Sequence, residues 1–315
     1  MQTKISAIKA EVSKVIVGQS SLIDALLVGL ITDGHILVEG VPGLAKTTAI
    51  NSLAQSLGLD FKRVQFTPDL LPSDIIGAEI YDQKNGEFKI KRGPAFTNLL
   101  LADEINRAPA KVQSALLEVM QERQITIGEE SFKLDAPFLV LATQNPVEQE
   151  GTYSLPEAQL DRFMLKVLVD YNSFDEEMLI VDRVANATFQ NIEQVADGAD
   201  IIQMRDEVRA IHVDRAVQEY MLKLIFATRD GVRFGIDEIT EFVEFGASPR
   251  ASINLYKASK AIAYLRGNDY VTPLDIADSI KPILRHRLLL NYKAEASRVS
   301  ADDIIDTILK NIKLP

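Results

Sequence analysis

The stretch His35–Thr48, HILVEGVPGLAKTT, decides how the first half of this chain is read. An apolar run ends in Gly40, and after four intervening residues come Ala45, Lys46 and Thr47, followed by the helix-forming run AINSLAQSL (49–57). A strand, a glycine-bearing turn and a helix opening on Lys-Thr form the pattern of a phosphate-binding loop. The helix N-terminus offers free N–H groups, the lysine offers charge for terminal phosphates, and the threonine offers a hydroxyl for Mg²⁺. One position departs from that pattern, because Ala45 stands where glycine is usual before the lysine. A negative φ at Ala45 leaves the loop unharmed, whereas a left-handed one costs about 1–2 kcal/mol. Gly43 remains for the sharpest turn.

Working outward, four further apolar runs alternate with helical stretches: FKRVQF (61–66), NLLLADE (98–104), PFLVLATQN (137–145) and FMLKVLVD (163–170). With HILVEG (35–40) they predict five buried parallel strands of an α/β sheet. Two segments break the rhythm. AEIYDQKNGEFKIKRG (78–93) has Asn85-Gly86 between strand-like arms, and ITIGEESFKL (125–134) alternates around Gly128, so both predict inserted β-hairpins.

Two of the strands end in chemistry. Asp103 and Glu104 close NLLLADE, where one carboxylate can hold Mg²⁺ and its neighbour can polarise an attacking water. Asn145 closes the next strand, where an amide could orient that water. Alone, Asp-Glu could cap a helix and Asn-Pro could make a turn; a phosphate loop in the same sheet favours the chemical reading.

After Tyr171 the periodicity turns helical. ASPRAS, VTPLDI and VSADDI each place Ser or Thr at an N-cap, and Pro249 and Pro273 take the first helical position, where a missing N–H costs nothing. The expected division is an α/β core over 1–171 and a helical domain over 172–315.

Composition narrows the function classes. The absence of cysteine excludes disulfides, thiolate nucleophiles and Cys-ligated zinc, and His35, His212 and His286 are too scattered for a metal cluster. The run LIDALLVGLI (22–31) is too short to span a bilayer and contains Asp24, and the first residues lack the apolar core of a signal peptide, so a cytoplasmic protein is expected. A formal net charge of −11 disfavours a broad nucleic-acid footprint. A local exception is Lys84, Lys89, Lys91 and Arg92 in the first hairpin.

The order of these motifs resembles the AAA+ ATPases, and specifically the MoxR family, over essentially the whole chain. GVPGLAKT (40–47) is similar to that family's phosphate loop, alanine included. GPAFTNLLLADEINRAPAKVQSALLEVMQERQITI, LATQNPVEQEGTYSLPEAQLDRF and GASPRAS follow in the family's order. The resemblance implies a P-loop NTPase core of the AAA+ type with a parallel five-stranded sheet and β-hairpin inserts, followed by an all-α lid.

It also implies roles by position. The loop Gly40, Pro42, Gly43, Leu44, Ala45, Lys46, Thr47 and Thr48 would bind ATP, and Val17 and Gly18 in VIVGQ would line the adenine pocket. Thr47 and Asp103 would hold Mg²⁺, Glu104 would be the catalytic carboxylate and Asn145 sensor 1. Arg162 in LDRF would be an arginine finger reaching a neighbouring subunit, and Arg250 in SPRAS would be sensor 2. Arg107 is a second candidate for an inter-subunit contact.

A homo-oligomeric, usually hexameric, ring follows from that resemblance. So does a chaperone-like activity on partner proteins, often with a von Willebrand factor A domain protein, aiding metal or cofactor insertion or complex assembly. Alternatives are a helicase-like nucleic-acid motor, a chelatase-type ATPase subunit and a scaffold that barely hydrolyses. Glu104 argues against the last.

Overall fold

The structure, a computed structural model, describes residues 2–146, 151–186 and 190–315. Residues 147–150, inside one of the motif runs quoted above, lie outside the described residues. The strands in chain order are β1 (Ile36–Glu39), β2 (Phe61–Gln65), β3 (Gly77–Asp82), β4 (Glu87–Arg92), β5 (Leu99–Asp103), β6 (Gln124–Ile127), β7 (Glu130–Lys133), β8 (Leu139–Gln144) and β9 (Leu165–Leu168). All five predicted runs become strands of one sheet, ordered β2-β5-β8-β1-β9, with the β2/β5, β5/β8 and β8/β1 pairs parallel.

Burial explains why these runs look as they do. The first four residues of β5 and the first five of β8 are buried, which is the environment of a central parallel strand covered on both faces. At the sheet edge, β2 buries only Val64, so Lys62, Arg63 and Gln65 are tolerated there. The register sets Glu39 beside Gln144 and Gln65 beside Asp103, so the carboxyl ends of β1, β8, β5 and β2 lie side by side. Ligand sites of open parallel sheets form along that edge.

The helices are α1 (Gln2–Ser13), α2 (Ser20–Thr32), α3 (Lys46–Ser56), α4 (Pro72–Ile76), α5 (Ala110–Glu122), α6 (Glu157–Leu160), α7 (Phe174–Ala185), α8 (Gly198–Ala210), α9 (Arg215–Ala227), α10 (Asp237–Phe242), α11 (Pro249–Leu265), α12 (Pro273–Leu284), α13 (Tyr292–Ala296) and α14 (Ala301–Asn311). The apolar run 22–31 falls in α2, where every residue from Leu22 to Ile31 except Asp24 is buried; it is a core helix. Among the described residues, no helix is long and apolar enough to cross a membrane.

Both hairpins form. In the first, Asp82 pairs with Glu87 across the four-residue loop 83–86, and the Asp82 carboxylate accepts from the Lys84 N–H at 3.0 Å. In the second, Ile127 pairs with Glu130 and Gly128 has φ 59°. Arg92 of β4 stacks over Phe96 and Phe132, with its guanidinium carbon 4.9 and 5.3 Å from the two ring centres.

Contacts divide the chain into two compact units, one of residues 3–156 and 167–203, the other mainly of 157–166 and 204–315. The first holds the sheet, both hairpins and α7. The second is helical apart from a two-stranded patch, Val243–Phe245 against Leu289–Leu290. Its caps follow the sequence reading. The Ser248, Thr272 and Ser300 hydroxyls accept from the N–H groups of Arg250, Asp275 and Asp303, and Pro249 and Pro273 open α11 and α12.

Candidate functional site: a phosphate-loop cavity with an adjoining apolar pocket

The loop between β1 and α3 takes its shape from two small residues and one strained one. At Gly40 an added Cβ would lie 2.6 Å from the Val169 carbonyl oxygen, so glycine is required by the close passage of the chain leaving β9. Gly43 has φ 88° and open space around it. Ala45 has φ 55° and ψ 18°, left-handed, as the N-cap of α3. The condition under which alanine would be free of strain is therefore not met, and the loop carries about 1–2 kcal/mol at this residue. The first turn of α3 opens here with N–H groups that the helix itself leaves without acceptors.

A cavity of about 350 Å³ lies along this loop. Every predicted loop residue from Gly40 and Pro42 to Thr48 lines it, and from the neighbouring strand ends so do Asp103, Glu104 and Asn145. Lys46 Nζ donates to the Gly40 carbonyl at 2.7 Å. Burial pushes its pKa down, and the nearby Asp103 and Glu104 charges push it back up. A cation partly stripped of water and set near two carboxylates is prepared for an anionic ligand.

The two carboxylates are held differently. Asp103 Oδ1 accepts from the buried Thr143 hydroxyl at 2.6 Å, while Oδ2 accepts from Arg63 Nη2 at 2.7 Å and Nε at 3.1 Å. Glu104 Oε2 accepts from Gln65 Nε2 at 2.9 Å and Arg107 Nη1 at 3.2 Å. Glu104 itself has φ 57°, and its N–H donates to Thr143 Oγ1 at 2.9 Å. A bulky residue in left-handed backbone beside a cavity marks a position where geometry is held against local preference. Arg107, the second candidate for an inter-subunit contact, is paired with Glu104 within this chain.

Arg63, Gln65 and Thr143 were not read from the sequence as site residues. The signal for the first two was polarity inside an apolar strand, and it pointed equally to an edge strand. Thr143 had no signal beyond its position two residues before Asn145.

Beside the first cavity lies a second, of about 570 Å³ and mostly apolar. Val15, Ile16 and Val17 line one side and Ile180, Val181 and Val184 of α7 the other, with Leu44 and Ala45 of the loop at its edge. Val17, expected to line the adenine pocket, lines this cavity. Gly18 is outside the lining and serves as the turn behind it, with φ 69° and the Glu176 carboxylate where a Cβ would fall. Asn172 fixes the wall by donating to the Val17 carbonyl at 2.9 Å.

For Mg²⁺, the Thr47 hydroxyl and the Asp103 carboxylate are hard oxygen donors of the kind it prefers. No cluster of three or more His, Cys, Asp or Glu among the described residues could hold a metal unaided. A cation bound here would share its ligands with phosphate oxygens, as Mg²⁺ does in nucleotide sites.

The two remaining predicted residues belong to the helical unit. Arg162 sits in the turn after α6, and among the described residues its guanidinium makes no hydrogen bond or ion pair. Its neighbour Asp161 is engaged with Arg287 at 2.7 Å and Arg250 at 3.4 Å, so a surface Asp161–Arg162 ion pair does not form. Arg250 lies in the first turn of α11.

Comparison with known proteins agrees with this geometry. Residues 35–165 match the model of the ATPase family associated with various cellular activities (AAA), and residues 238–308 match the AAA lid domain. The chain is 48% identical over 305 residues to Chaperone MoxR1 of Mycobacterium tuberculosis, covering 97% of this chain and 81% of that one. It is 42% identical over 305 residues to protein YeaC of Bacillus subtilis, covering 96% and 92%. A crystal structure of a candidate ATPase from Cytophaga hutchinsonii superposes with a TM-score of 0.94 at 50% identity, covering 100% of this chain and 96% of that one. With the phosphate loop, the paired carboxylates and the helical second unit already in view, these matches establish that the chain belongs to the MoxR family of AAA+ ATPases.

Proposed function

We propose that this chain is a Mg²⁺-dependent, ATP-hydrolysing ring subunit that remodels or activates partner proteins. The observation that carries the reading is the convergence of Lys46, Thr47, Asp103, Glu104 and Asn145 on one cavity, next to an apolar pocket of a size suited to a purine base.

In this reading the base lies against Val15, Ile16 and Val17, and the phosphates follow the loop to Lys46. Thr47 and Asp103 hold Mg²⁺, which when bound neutralises phosphate charge. Glu104 takes a proton from the attacking water, and Asn145 orients that water. Arg162 meets the charge that develops on the phosphoryl oxygens of a neighbouring subunit's nucleotide, because a permanent planar cation is suited to that task. Arg250 senses the phosphates from the helical side. The unit of residues 3–156 and 167–203, whose residues line both cavities, forms the nucleotide-binding core, and the unit mainly of 157–166 and 204–315 forms the lid, in a hexameric, cytoplasmic assembly.

The chaperone-like role and a von Willebrand factor A domain partner are proposed from the family. The charge pattern of the first hairpin supports this choice over a nucleic-acid motor. Lys89 is neutralised by Asp82 at 2.7 Å and Glu87 at 3.4 Å, and Arg92 is spent on Phe96 and Phe132, leaving Lys84 and Lys91 of the basic cluster.

The test is steady-state ATP hydrolysis per subunit across a wide range of protein concentration, with sizing at the lowest dilution. A specific rate that climbs with concentration supports shared sites. A constant rate from a chain that sizing finds monomeric would reject them.

A further inference from the structure

The segment carrying Arg162 is held by three consecutive residues far away in sequence, Arg285, His286 and Arg287, none of which belongs to a recognised motif of the site. Arg287 is the centre of that grip, with a side chain only 1% exposed. Its Nε donates to Asp161 Oδ1 at 2.7 Å, and Nη2 donates to the carbonyls of Asp161, at 3.2 Å, and Phe163. Its Nη1 donates to the carbonyls of Met164, at 3.1 Å, and Ile283. All five donors of the guanidinium are used, and four of them act on the turn 161–164.

His286 Nε2 reaches the Phe163 carbonyl at 3.1 Å, and Arg285 Nη1 the Lys166 carbonyl at 3.4 Å. Burying a charge this completely is costly unless it is paired and its hydrogen bonds are satisfied. Asp161 supplies the pairing charge.

Asp161 has a second set of partners. The Ser248 hydroxyl donates to its Oδ2 at 3.0 Å, and the same hydroxyl caps α11 by accepting from the Arg250 N–H at 3.2 Å. Arg250 Nη1 approaches Oδ2 at 3.4 Å, a long and partly exposed contact that a stronger anion could replace. One carboxylate thus joins the turn that presents Arg162 to the helix cap that presents Arg250.

We propose that Asp161, clamped by the buried Arg287, is a positioning residue that sets Arg162 and Arg250 as a pair, so that loss of its carboxylate displaces both. The inference rests on the reading of those two arginines given above. It accounts for a buried guanidinium whose donors are directed at one turn, and for the absence of an Asp161–Arg162 ion pair.

The experiment compares full-length Asp161→Asn and Arg162→Ala in ATP turnover, each alone and each mixed in equal amounts with Glu104→Gln. The Glu104→Gln subunits have intact arginines but cannot hydrolyse. Asp161→Asn is expected to lose on the order of 10- to 100-fold in kcat, as for a misplaced catalytic group, with KM for ATP within about threefold. Mixing should restore turnover fully for Arg162→Ala, whose sites then meet sound fingers from Glu104→Gln neighbours, and only in part for Asp161→Asn, whose own Arg250 stays displaced.

A wild-type rate in Asp161→Asn beside a slow Arg162→Ala overturns the proposal and leaves the finger reading intact. A slow Asp161→Asn that mixing does not speed at all, while Arg162→Ala is rescued, shows a folding effect and overturns it, and an Asp161→Asn rescued as fully as Arg162→Ala separates Arg250 from Asp161 and overturns the pairing. A wild-type rate in Arg162→Ala refutes the finger itself and the proposal with it. Should Asp161→Asn fail to assemble, Arg287→Lys keeps the charge but offers at most three donors, and the same kcat loss and rescue are required of it.

Discussion

Replacing Ala45 by glycine tests the reading of the phosphate loop at its most unusual residue. Ala45 is held at φ 55° and its side chain is exposed, so the substitution removes backbone strain and almost no packing. Relief of a left-handed alanine is worth about 1–2 kcal/mol. Glycine gives back about 0.4–1 kcal/mol through greater freedom in the unfolded chain, and as an N-cap it is no worse than alanine. The net expectation is a stabilisation of about 0.8 kcal/mol. For a unit of this size that is roughly 2 °C in Tm. The assay is thermal unfolding without nucleotide or Mg²⁺, so that ligand linkage does not enter. The loop backbone is already in the glycine-like conformation, so KM for ATP should stay within about threefold. A Tm lowered by a degree or more, or a KM shifted tenfold, would refute the argument that the loop tolerates alanine only under strain. Ala45→Val makes the complementary case: a β-branched side chain in left-handed backbone should cost more than alanine does and lower Tm.

Lys46→Ala should weaken nucleotide binding and slow turnover together, whereas Arg162→Ala should mainly lower kcat, by about 10³-fold or more if it acts as fingers do elsewhere; titration of a fluorescent ATP analogue alongside steady-state rates separates the two. Glu104→Gln should bind ATP and assemble but fail to hydrolyse, and a wild-type rate would remove Glu104 from its role. Arg250→Ala should change ATP affinity or rate, and a variant unaltered in both would reject the sensor assignment. For His286, burial and the positive charges of Arg287, Lys166 and Arg285 hold the folded pKa well below 6.5, despite the hydrogen bond to Phe163. The unfolded chain therefore takes up this proton first, so the stability is present above pH 6.5 and declines by up to about 1.4 kcal/mol per pH unit as the pH falls below it. His286→Gln should show a shallower decline between pH 6.5 and 5.5 in denaturant unfolding.

The sheet was legible because parallel central strands must be apolar on both faces, and HILVEG, NLLLADE and PFLVLATQN have no other use for such runs. The caps of α11, α12 and α14 were legible because Ser or Thr before Pro or Asp has a local mechanism. Lys46, Asp103, Glu104 and Asn145 could be found by position, since each ends a strand or opens a helix on one edge of the sheet. The parts that could not be read are those made by distance in the chain. Nothing local in LRHRLLL says that its charges are buried against a turn more than a hundred residues earlier. Arg63 and Gln65 looked like the polar residues of an edge strand, which they also are. The φ of Ala45 was open in the sequence because both signs are compatible with the same loop letters.

The grip of Arg287 on Asp161 spans 126 positions of the chain. The residues lining both cavities all lie at or before Val184. A ribosome adding about 5–20 residues per second therefore completes the cavity-lining sequence roughly 5–20 s before Arg287 is made. Through that interval the nascent polypeptide has every side chain that lines the two cavities but lacks Arg287, which grips the turn bearing Arg162. On the reading proposed above, the turn that bears Arg162 is therefore fixed only after translation has passed Arg287, well after Arg162 itself has been made.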